Sequence, residues 1–292
     1  MLSPEAATRY ESDAFDSWEA ILTEALVGFA PRALSLLRVM TGLLIIQHGM
    51  ARTIGFPVVP SNANIQLFSM IGATGFVQLI CGALLILGLW TRPAALIIAV
   101  NLAFLLITGY LPKGFHPLVA GSTLTILYLL SCLYLSSAGA GPWSVDASRS
   151  SGAAMDKFNS TLADFEPTAL SIYRIFTGLL LFQYGLAKIY KIPRLPAFLD
   201  ISPLVTVAGV LELVGGALLI LGLFTRPVAF ILSGQMAFAY FIGHMFEGGL
   251  AAPALIPLLN GGSAAILFCF ACFHLACAGG GPWALDATRG KR

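Results

Sequence analysis

The chain has 292 residues, of which 58% are hydrophobic and only 10% are charged, and its formal net charge at pH 7 is +2. Soluble globular domains carry roughly 25% charged residues, so this composition excludes an ordinary water-soluble domain and favours a protein whose solvent is the lipid bilayer. A net charge this small also gives no indication of nucleic-acid binding.

The first thirty residues are polar and rich in acidic side chains. They lack the basic start and apolar core of a secretory signal peptide. We therefore predict an N-terminal tail over residues 1–32, in which Phe15 to Phe29 form a short amphipathic helix at the membrane surface.

Apolar runs close to the length of about 20 residues needed to cross a bilayer follow this tail. They predict an all-α transmembrane fold of eight helices, near residues 33–51, 72–90, 92–110, 118–138, 168–187, 204–223, 226–246 and 255–278.

The second half of the chain repeats the first. Arg38-Val-Met-Thr-Gly42 returns as Arg174-Ile-Phe-Thr-Gly178, and Gly141-Pro-Trp143 returns as Gly281-Pro-Trp283. A period this long indicates two domain-sized units. We predict a first four-helix repeat at 33–146, a linker at 147–166, a second repeat at 167–286 and a C-terminal tail at 287–292.

Basic residues lie mainly on one side of this eight-helix arrangement. By the positive-inside rule, both termini are expected in the cytoplasm, and an even number of helices per repeat makes the repeats parallel. We therefore expect a multi-pass protein of the bacterial inner membrane. The basic residues on the cytoplasmic side are Arg9, Arg32, Arg92, Arg149, Lys157, Arg226, Arg289, Lys291 and Arg292.

Each repeat carries an arginine near the start of its first helix and an aspartate after its fourth. Ionisable groups inside a membrane are costly and usually have a partner. We expect Arg38 to meet Asp146, and Arg174 to meet Asp286, or the backbone around these aspartates, as a structural clasp.

The second repeat alone has a full set of acid, base and amide side chains in its spans. By a rise of about 1.5 Å per residue, they all fall in the outer half of the membrane. The set is Gln183, Lys188, Glu212, Gln235, His244, Glu247 and Asn260, against Gln47, Arg52, Gln78, Asn101, Tyr110, Lys113 and Ala120 in the first repeat.

Three interpretations of this polar set stay open: a hydrogen-bond network between helices, a site for a polar headgroup such as a quinone or a small substrate, and a metal site. Glu212 would be desolvated unless Lys188 or His244 pairs with it, and His244 could carry protons. For a metal, His244 and Glu247 alone give too few ligands, so we expect none.

The five cysteines all fall inside predicted spans, and an odd number within helices is a poor disulfide framework. We interpret them as small packing residues, with a redox pair of Cys269 and Cys272 as the alternative. No Cys-x-x-Cys-His haem attachment is present, so no covalently bound cofactor is expected.

The order of motifs in the second repeat resembles the DoxX family of small four-helix membrane proteins, and the first repeat resembles it more loosely. The motifs are Arg174…Gly178…Gln183-Tyr-Gly-Leu-Ala-Lys188, Leu211-Glu-Leu-Val-Gly-Gly-Ala, Thr225-Arg-Pro, His244, Asn260-Gly-Gly and Gly281-Pro-Trp-Ala-Leu-Asp286.

The resemblance implies a place in membrane redox systems. Family members include a subunit of thiosulfate:quinone oxidoreductase and partners of superoxide dismutase and of a sulfurtransferase, whereas more distant relatives act as membrane cargo receptors or chaperones. The chain departs from the family at Ser263, where a glutamate is common, and at Gln78 and Tyr110 in the first repeat. The family's polar positions correspond here to Lys188, Glu212, His244, Asn260 and Asp286.

The leading hypothesis is therefore a membrane subunit of a redox complex, quinone-linked and related to thiosulfate, sulfur or oxidative stress. Glu212 and His244 would be its catalytic proton relay, and the ligand would bind to Gln183, Lys188, Gln235 and Asn260. Electrons would come from another membrane or redox protein subunit, or from the substrate. The alternatives are a non-enzymatic scaffold or assembly subunit and a small-molecule transporter.

Overall fold

A computed structural model describes residues 4–62, 65–149, 152–247 and 255–289, with side chains from residue 24 onwards except at residues 61 and 289. These residues form only helices and their connections, which confirms the all-α prediction for the described ranges. Three parts of the predicted chain lie outside the described residues. They are the side chains of the predicted amphipathic helix before residue 24, residues 150–151 of the linker and residues 290–292 of the C-terminal tail. Among the described residues, six helical segments are long and apolar enough to cross a bilayer: Glu24–Thr53, Met70–Leu87, Thr91–Lys113, Glu166–Ile189, Pro203–Leu221 and Thr225–Met245.

The first repeat consists of four apolar helices and one short helix. Helix α1 packs against α2, α2 against α3, and α3 against α5. A π-helical turn, Leu106–Tyr110, continues α3. The helices are α1 (Pro4–Thr53), α2 (Met70–Leu87), α3 (Thr91–Leu105), α4 (Pro117–Ala120) and α5 (Thr123–Ala138).

The second repeat has the same order of helices. Its α7 packs against α8, α8 against α9, and α9 against α11, and a π-helical turn, Phe241–Met245, again continues the third helix. The linker contains a helix of its own, α6 (Ala153–Ala163), and the remaining helices are α7 (Glu166–Ile189), α8 (Pro203–Leu221), α9 (Thr225–Tyr240), α10 (Pro257–Asn260), α11 (Ser263–Ala278) and α12 (Leu285–Arg289).

Three of the predicted segments differ from the structure. The predicted interfacial helix from Phe15 to Phe29 is not separate, because one continuous helix runs from Pro4 to Thr53. The predicted spans 118–138 and 255–278 are each broken near the start by a glycine in the left-handed region, Gly121 (φ 73°) and Gly261 (φ 73°). The helices that follow, α5 and α11, have 16 residues each, short of the roughly 20 that a bilayer requires.

The second and third helices of each repeat form a tight hairpin, and the turn lies in the repeated motif Gly-Leu-(Trp/Phe)-Thr-Arg-Pro. Gly88 and Gly222 end α2 and α8 in the left-handed conformation, both at φ 67°. Their N–H groups, and those of the next residues, return to carbonyls in the last turn of the helix. This is a glycine C-cap, in which a side chain would be strained.

Close helix contact in each repeat depends on a pair of glycines. A Cβ added to Gly42 would lie 2.9 Å from the carbonyl oxygen of Gly82, and one added to Gly178 would lie 2.8 Å from that of Gly216. The backbones of α1 and α2, and of α7 and α8, therefore touch, as small residues permit in membrane helices.

The two repeats contact each other through their first and fourth helices. Helix α5 packs against α7, and α1 packs against α11. At the centre, the Tyr134 hydroxyl lies 2.8 Å from His274 Nε2, and the Tyr134 ring stacks on Tyr173 at 5.2 Å. A second polar contact joins Ser131 and Tyr173 at 3.1 Å. These aromatic and polar contacts join both repeats into one hydrophobic core.

Candidate functional site

The arginine of each clasp is fully buried and bonded to backbone carbonyls. Arg38 donates to the oxygens of Ile86 at 2.9 Å and Ala140 at 2.8 Å, and also to those of Leu85 and Trp143. Its guanidinium therefore ties the end of α2 to the segment that follows α5.

Arg174 repeats this arrangement in the second repeat. Its guanidinium donates to the oxygens of Ile220 at 2.9 Å, Gly280 at 2.7 Å and Trp283 at 3.0 Å, and to that of Leu219. Both arginines have 0% exposure. Five donors in a planar fork are well suited to several carbonyls at once.

We expected each of these arginines to meet the aspartate of its own repeat or the backbone around it. Between the described residues, Arg38 and Arg174 form the backbone bonds and no direct ion pair with Asp146 or Asp286. Asp146 accepts instead from the N–H groups of Trp90 and Thr91, each at 2.8 Å. The aspartates point at these groups because the first N–H groups of a helix lack helical partners and favour an anion.

Asp286 makes the same cap in the second repeat. It accepts from the N–H groups of Phe224 at 2.9 Å and Thr225 at 2.8 Å, at the start of α9. In both repeats the arginine and the aspartate thus act at the same end of the bundle but through different bonds. The arginine donates to backbone carbonyls, and the aspartate accepts from backbone N–H groups.

Sequence reasoning missed a second pair of structural arginines in the hairpin motif. Arg92 donates to the carbonyl oxygens of Ser136 at 3.1 Å and of Ser137. Arg226 does the same with Ala276 at 3.0 Å and with Cys277. The signal that could have identified them is the Thr-Arg-Pro sequence, which occurs in both repeats.

At the other end of the second repeat, three predicted site residues converge from three helices. The Nζ atom of Lys188 on α7 lies 2.6 and 2.7 Å from the two carboxylate oxygens of Glu212 on α8. Gln235 on α9 donates to Glu212 Oε1 at 3.1 Å. The exposed fractions of the Lys188 and Glu212 side chains are 13% and 4%. We call these three residues the Lys188 cluster.

The local packing explains how a lysine fits here. A Cβ at Gly209 would lie 2.9 Å from the Lys188 Cβ, so the glycine leaves room for the lysine stem. The ammonium lies 5.8 Å from the ring centroids of Tyr184 and Phe198, which is within the range of a cation–π contact.

Gln235 has one oxygen that the protein leaves without a bond. Its Nε2 donates to Glu212 and, at 3.2 Å, to the carbonyl oxygen of Ala208. Both partners are acceptors, so the orientation of the amide is defined. Its Oε1 is buried and has no hydrogen-bond partner in the described structure. Buried acceptors are nearly always bonded, so this atom calls for a donor.

The other predicted site residues lie outside this cluster. The Nδ1 atom of His244 lies 3.0 Å from the backbone oxygen of Asn260, whose side-chain oxygen accepts from Gly262 N–H. Gln183 contacts Thr123 of the first repeat at 3.5 Å. Of the two partners expected for Glu212, Lys188 pairs with it, and His244 is not among its bonds within the described chain.

The described ranges bring no three potential metal ligands among His, Cys, Asp and Glu together, and Glu247 is exposed. All five cysteines are free thiols. Cys269 lies 3.5 Å from the hydroxyl of Ser233, and the described structure gives it no bond to Cys272.

The first repeat holds an amide network where the second has the Lys188 cluster. Arg52 donates to Thr74 Oγ1 at 3.3 Å and to Gln78 Oε1 at 3.0 Å. Gln78 in turn donates to Asn101 at 3.3 Å. Beside this network is a cavity of about 650 Å³, which Tyr110 also lines. Sequence reasoning, which assigned the pocket to the second repeat alone, missed it.

Comparisons with known proteins agree with the repeat structure. The DoxX family profile matches residues 33–111 and 169–245, together more than half of the chain. An uncharacterized protein of Haemophilus influenzae is 38% identical over 130 residues, which are 44% of this chain and 95% of that protein. That relative therefore has the length of one repeat. No solved structure matches the chain.

The two matched segments coincide with the first three helices of each repeat, and the resemblance inferred from the motifs is thereby confirmed. The chain belongs to the DoxX family of membrane proteins and carries the family's domain twice.

Proposed function

We propose that this chain is an integral membrane subunit of a quinone-linked redox system in the bacterial plasma membrane, and that a quinone headgroup binds beside the Lys188 cluster. The observation that carries the proposal is the buried and unbonded Oε1 of Gln235. A hydroxyl of the reduced quinone is a donor of the kind this atom requires, and an unmet buried acceptor costs about 1–3 kcal/mol.

The charges beside this atom suit the chemistry of a quinone. A quinone takes up two electrons and two protons to become the hydroquinone. Ion pairs inside a membrane often mark proton relays, so Glu212 exchanges protons at the headgroup and Lys188 compensates negative charge that develops on its oxygens. His244 passes protons to the water side, and Gln183 and Asn260 position the ligand.

The electrons enter from a partner subunit or from a small reductant of the sulfur type. The headgroup site thus links a membrane carrier to a redox protein at the surface. This makes partnership with another membrane or redox protein part of the proposal.

For the topology, we propose that α5 and α11 also lie in the membrane, which gives eight helices and parallel repeats. Their packing against α3 and α9, which are apolar enough to span, supports this. Both termini then lie on the cytoplasmic side, together with the basic residues of the hairpin turns and the linker, Arg92, Arg226 and Lys157.

The second candidate function is a non-enzymatic scaffold or assembly subunit. The observation in its favour is that both carboxylate oxygens of Glu212 are already bonded within the protein, as expected for a cluster that only holds three helices together. The transporter alternative is a hypothesis that follows from the parallel repeats alone.

The experiment compares the quinone content of variants extracted from native membrane in polymer nanodiscs. We expect the parent protein to retain quinone and to bind decylubiquinol, the reduced form whose hydroxyls can donate to Gln235 Oε1. Gln235→Leu should bind it about fivefold more weakly, the loss that corresponds to one hydrogen bond of about 1 kcal/mol. Quinone is quantified by chromatography and mass spectrometry, and affinity by titration of the purified protein.

The matched control is Asn101→Leu, which also replaces an amide by leucine, at the equivalent position of the first repeat. It should keep quinone at the parent level. Equal quinone binding by folded Gln235→Leu would contradict the proposed site. A parent protein that binds no quinone but purifies with another membrane protein would favour the scaffold.

A further inference from the structure

Arg52 is a cation inside a membrane helix whose bonded partners are neutral. It occupies the position of Lys188 in the second repeat, and Gln78 occupies that of Glu212. The first repeat has therefore kept the positive charge and replaced the negative one by an amide. An ionised group taken out of water requires a compensating charge, and the end of α1 offers only the partial charges of its carbonyls.

The donors of Arg52 are incompletely used by the protein. Its bonds to Thr74 and Gln78 are both made by Nη1, whereas a guanidinium has five N–H donors in a planar fork. Arg52 also lines the cavity of about 650 Å³. Within the described residues, the remaining donors thus have space beside them.

The cavity brings further polar groups toward the same point. Lys113 and Tyr110 line it, with the Lys113 ammonium 5.4 Å from the Tyr110 ring centroid. His48 lines it as well, and its Nε2 is buried with no hydrogen-bond partner. No aspartate or glutamate is among the described residues that form its wall. The wall therefore carries two formal positive charges and no negative one.

Most of the rest of the wall is apolar, apart from the side chains of Gln78, Thr108, Thr125 and Tyr128. It includes Met70, Ile71, Leu102 and Leu105, and the helices that carry these residues are candidate membrane spans. The volume lies within the range of about 300–1,000 Å³ that is usual for small-molecule sites. A ligand that fits this wall has an oxyanion at one end and a hydrocarbon body at the other.

We propose that this cavity is a binding site for a carboxylate amphiphile of the fatty-acid class, whose carboxylate pairs with Arg52 and is attracted by Lys113. Carboxylate and guanidinium match in a two-point hydrogen bond. The site is separate from the Lys188 cluster, so the inference does not rest on the quinone proposal. The phosphate of an anionic lipid shares the same oxyanion chemistry, and the experiment distinguishes the two sources.

The test is native mass spectrometry of the purified full chain with three probes: dodecanoate, dodecanol and phosphatidylglycerol. Dodecanol has the same chain length without the charge. We expect one dodecanoate per protein, bound at least about tenfold more tightly than dodecanol. If phosphatidylglycerol binds with the same stoichiometry and dodecanoate displaces it only in excess, the oxyanion comes from membrane lipid.

The decisive variant is Gln78→Glu, which installs the acid of the second repeat opposite Arg52. The introduced carboxylate should occupy the guanidinium and weaken dodecanoate binding about tenfold or more. Because the second repeat already contains such a pair, this variant is expected to fold. Arg52→Gln should lose binding equally, which provides a second readout, and Arg52→Lys should retain part of it.

The charge control is Lys157→Gln, which removes one positive charge from the exposed linker helix and should bind dodecanoate like the parent. The proposal is overturned if dodecanol binds as tightly as dodecanoate, or if folded Gln78→Glu or Arg52→Gln binds dodecanoate as tightly as the parent protein.

Discussion

Replacing Arg174 by leucine should lower the free energy of unfolding by about 4 kcal/mol, one of the two largest effects we expect in this chain. The guanidinium is fully buried and bonds four carbonyl oxygens that belong to two different segments. Hydrogen bonds to a charged group are worth about 1.5–3 kcal/mol each. Leucine removes all four of them, although the Leu219 oxygen still accepts from the Gly222 N–H.

The effect is measured by unfolding the purified protein in mixed detergent and SDS micelles. Arg174→Lys should also be destabilised, since an ammonium cannot reproduce the fork of the guanidinium. Arg149→Leu, an exposed arginine, is the control and should change stability by less than about 0.5 kcal/mol. A loss of under about 1 kcal/mol for Arg174→Leu would show that these bonds contribute little.

Because the sequence is duplicated, residues at equivalent positions of the two repeats could be predicted to have the same structural role. Arg38 and Arg174 were expected to play one role because their surrounding motifs repeat, and their bonds do match from repeat to repeat. The nature of the partners was not predictable in full. Hydrophobic periodicity identifies helices but does not show which backbone carbonyls remain free at their ends, and these carbonyls attract the guanidinium.

Hydropathy also overestimated the length of some helices. Gly121 and Gly261 interrupt apolar runs that a sliding average treats as continuous, since the average is insensitive to backbone conformation. At the N-terminus the opposite happened. Pro31 lies at the boundary we predicted between an interfacial helix and a span, yet the helix continues through it.

The Lys188 cluster was predictable in part. Its members were selected by charge and depth, and three of them, Lys188, Glu212 and Gln235, do converge. His244 was grouped with them by its depth and by the family resemblance, and neither determines the direction in which a side chain points. The cavity of the first repeat was missed because we compared the repeats by their number of ionisable groups. The informative signal was that the first repeat keeps a cation, Arg52, at the position of Lys188 but has the amide Gln78 at the position of Glu212.

Removing Lys188 alone should be far more damaging than removing Glu212 alone. Lys188→Met leaves the Glu212 carboxylate buried without its cation, and breaking a buried pair in this way costs about 3–5 kcal/mol. Glu212→Gln creates the arrangement of a cation and an amide that the first repeat has in Arg52 and Gln78. We therefore expect it to cost only about 1–2 kcal/mol.

The same unfolding assay checks this asymmetry, and a double-mutant cycle of Lys188→Met, Glu212→Leu and their combination measures how strongly the two residues are coupled. The variant with both Lys188→Met and Glu212→Leu should recover to within about 1 kcal/mol of the parent, because an apolar pair of similar volume often replaces a buried ion pair without loss. Arg52→Met is the matched control in the first repeat. It leaves no carboxylate behind, so it should be milder than Lys188→Met. A double variant as unstable as Lys188→Met would refute the coupling.

The double variant also separates the two candidate functions of the cluster. If the ion pair only held α7, α8 and α9 together, an apolar pair of equal stability would leave the protein's behaviour unchanged, including any quinone that it retains. If the pair serves a headgroup, the folded double variant loses quinone while its stability is preserved. In that case the ion pair contributes little to stability, and an unpaired charge in the membrane would be costly. The presence of the pair is then explained by the chemistry it performs.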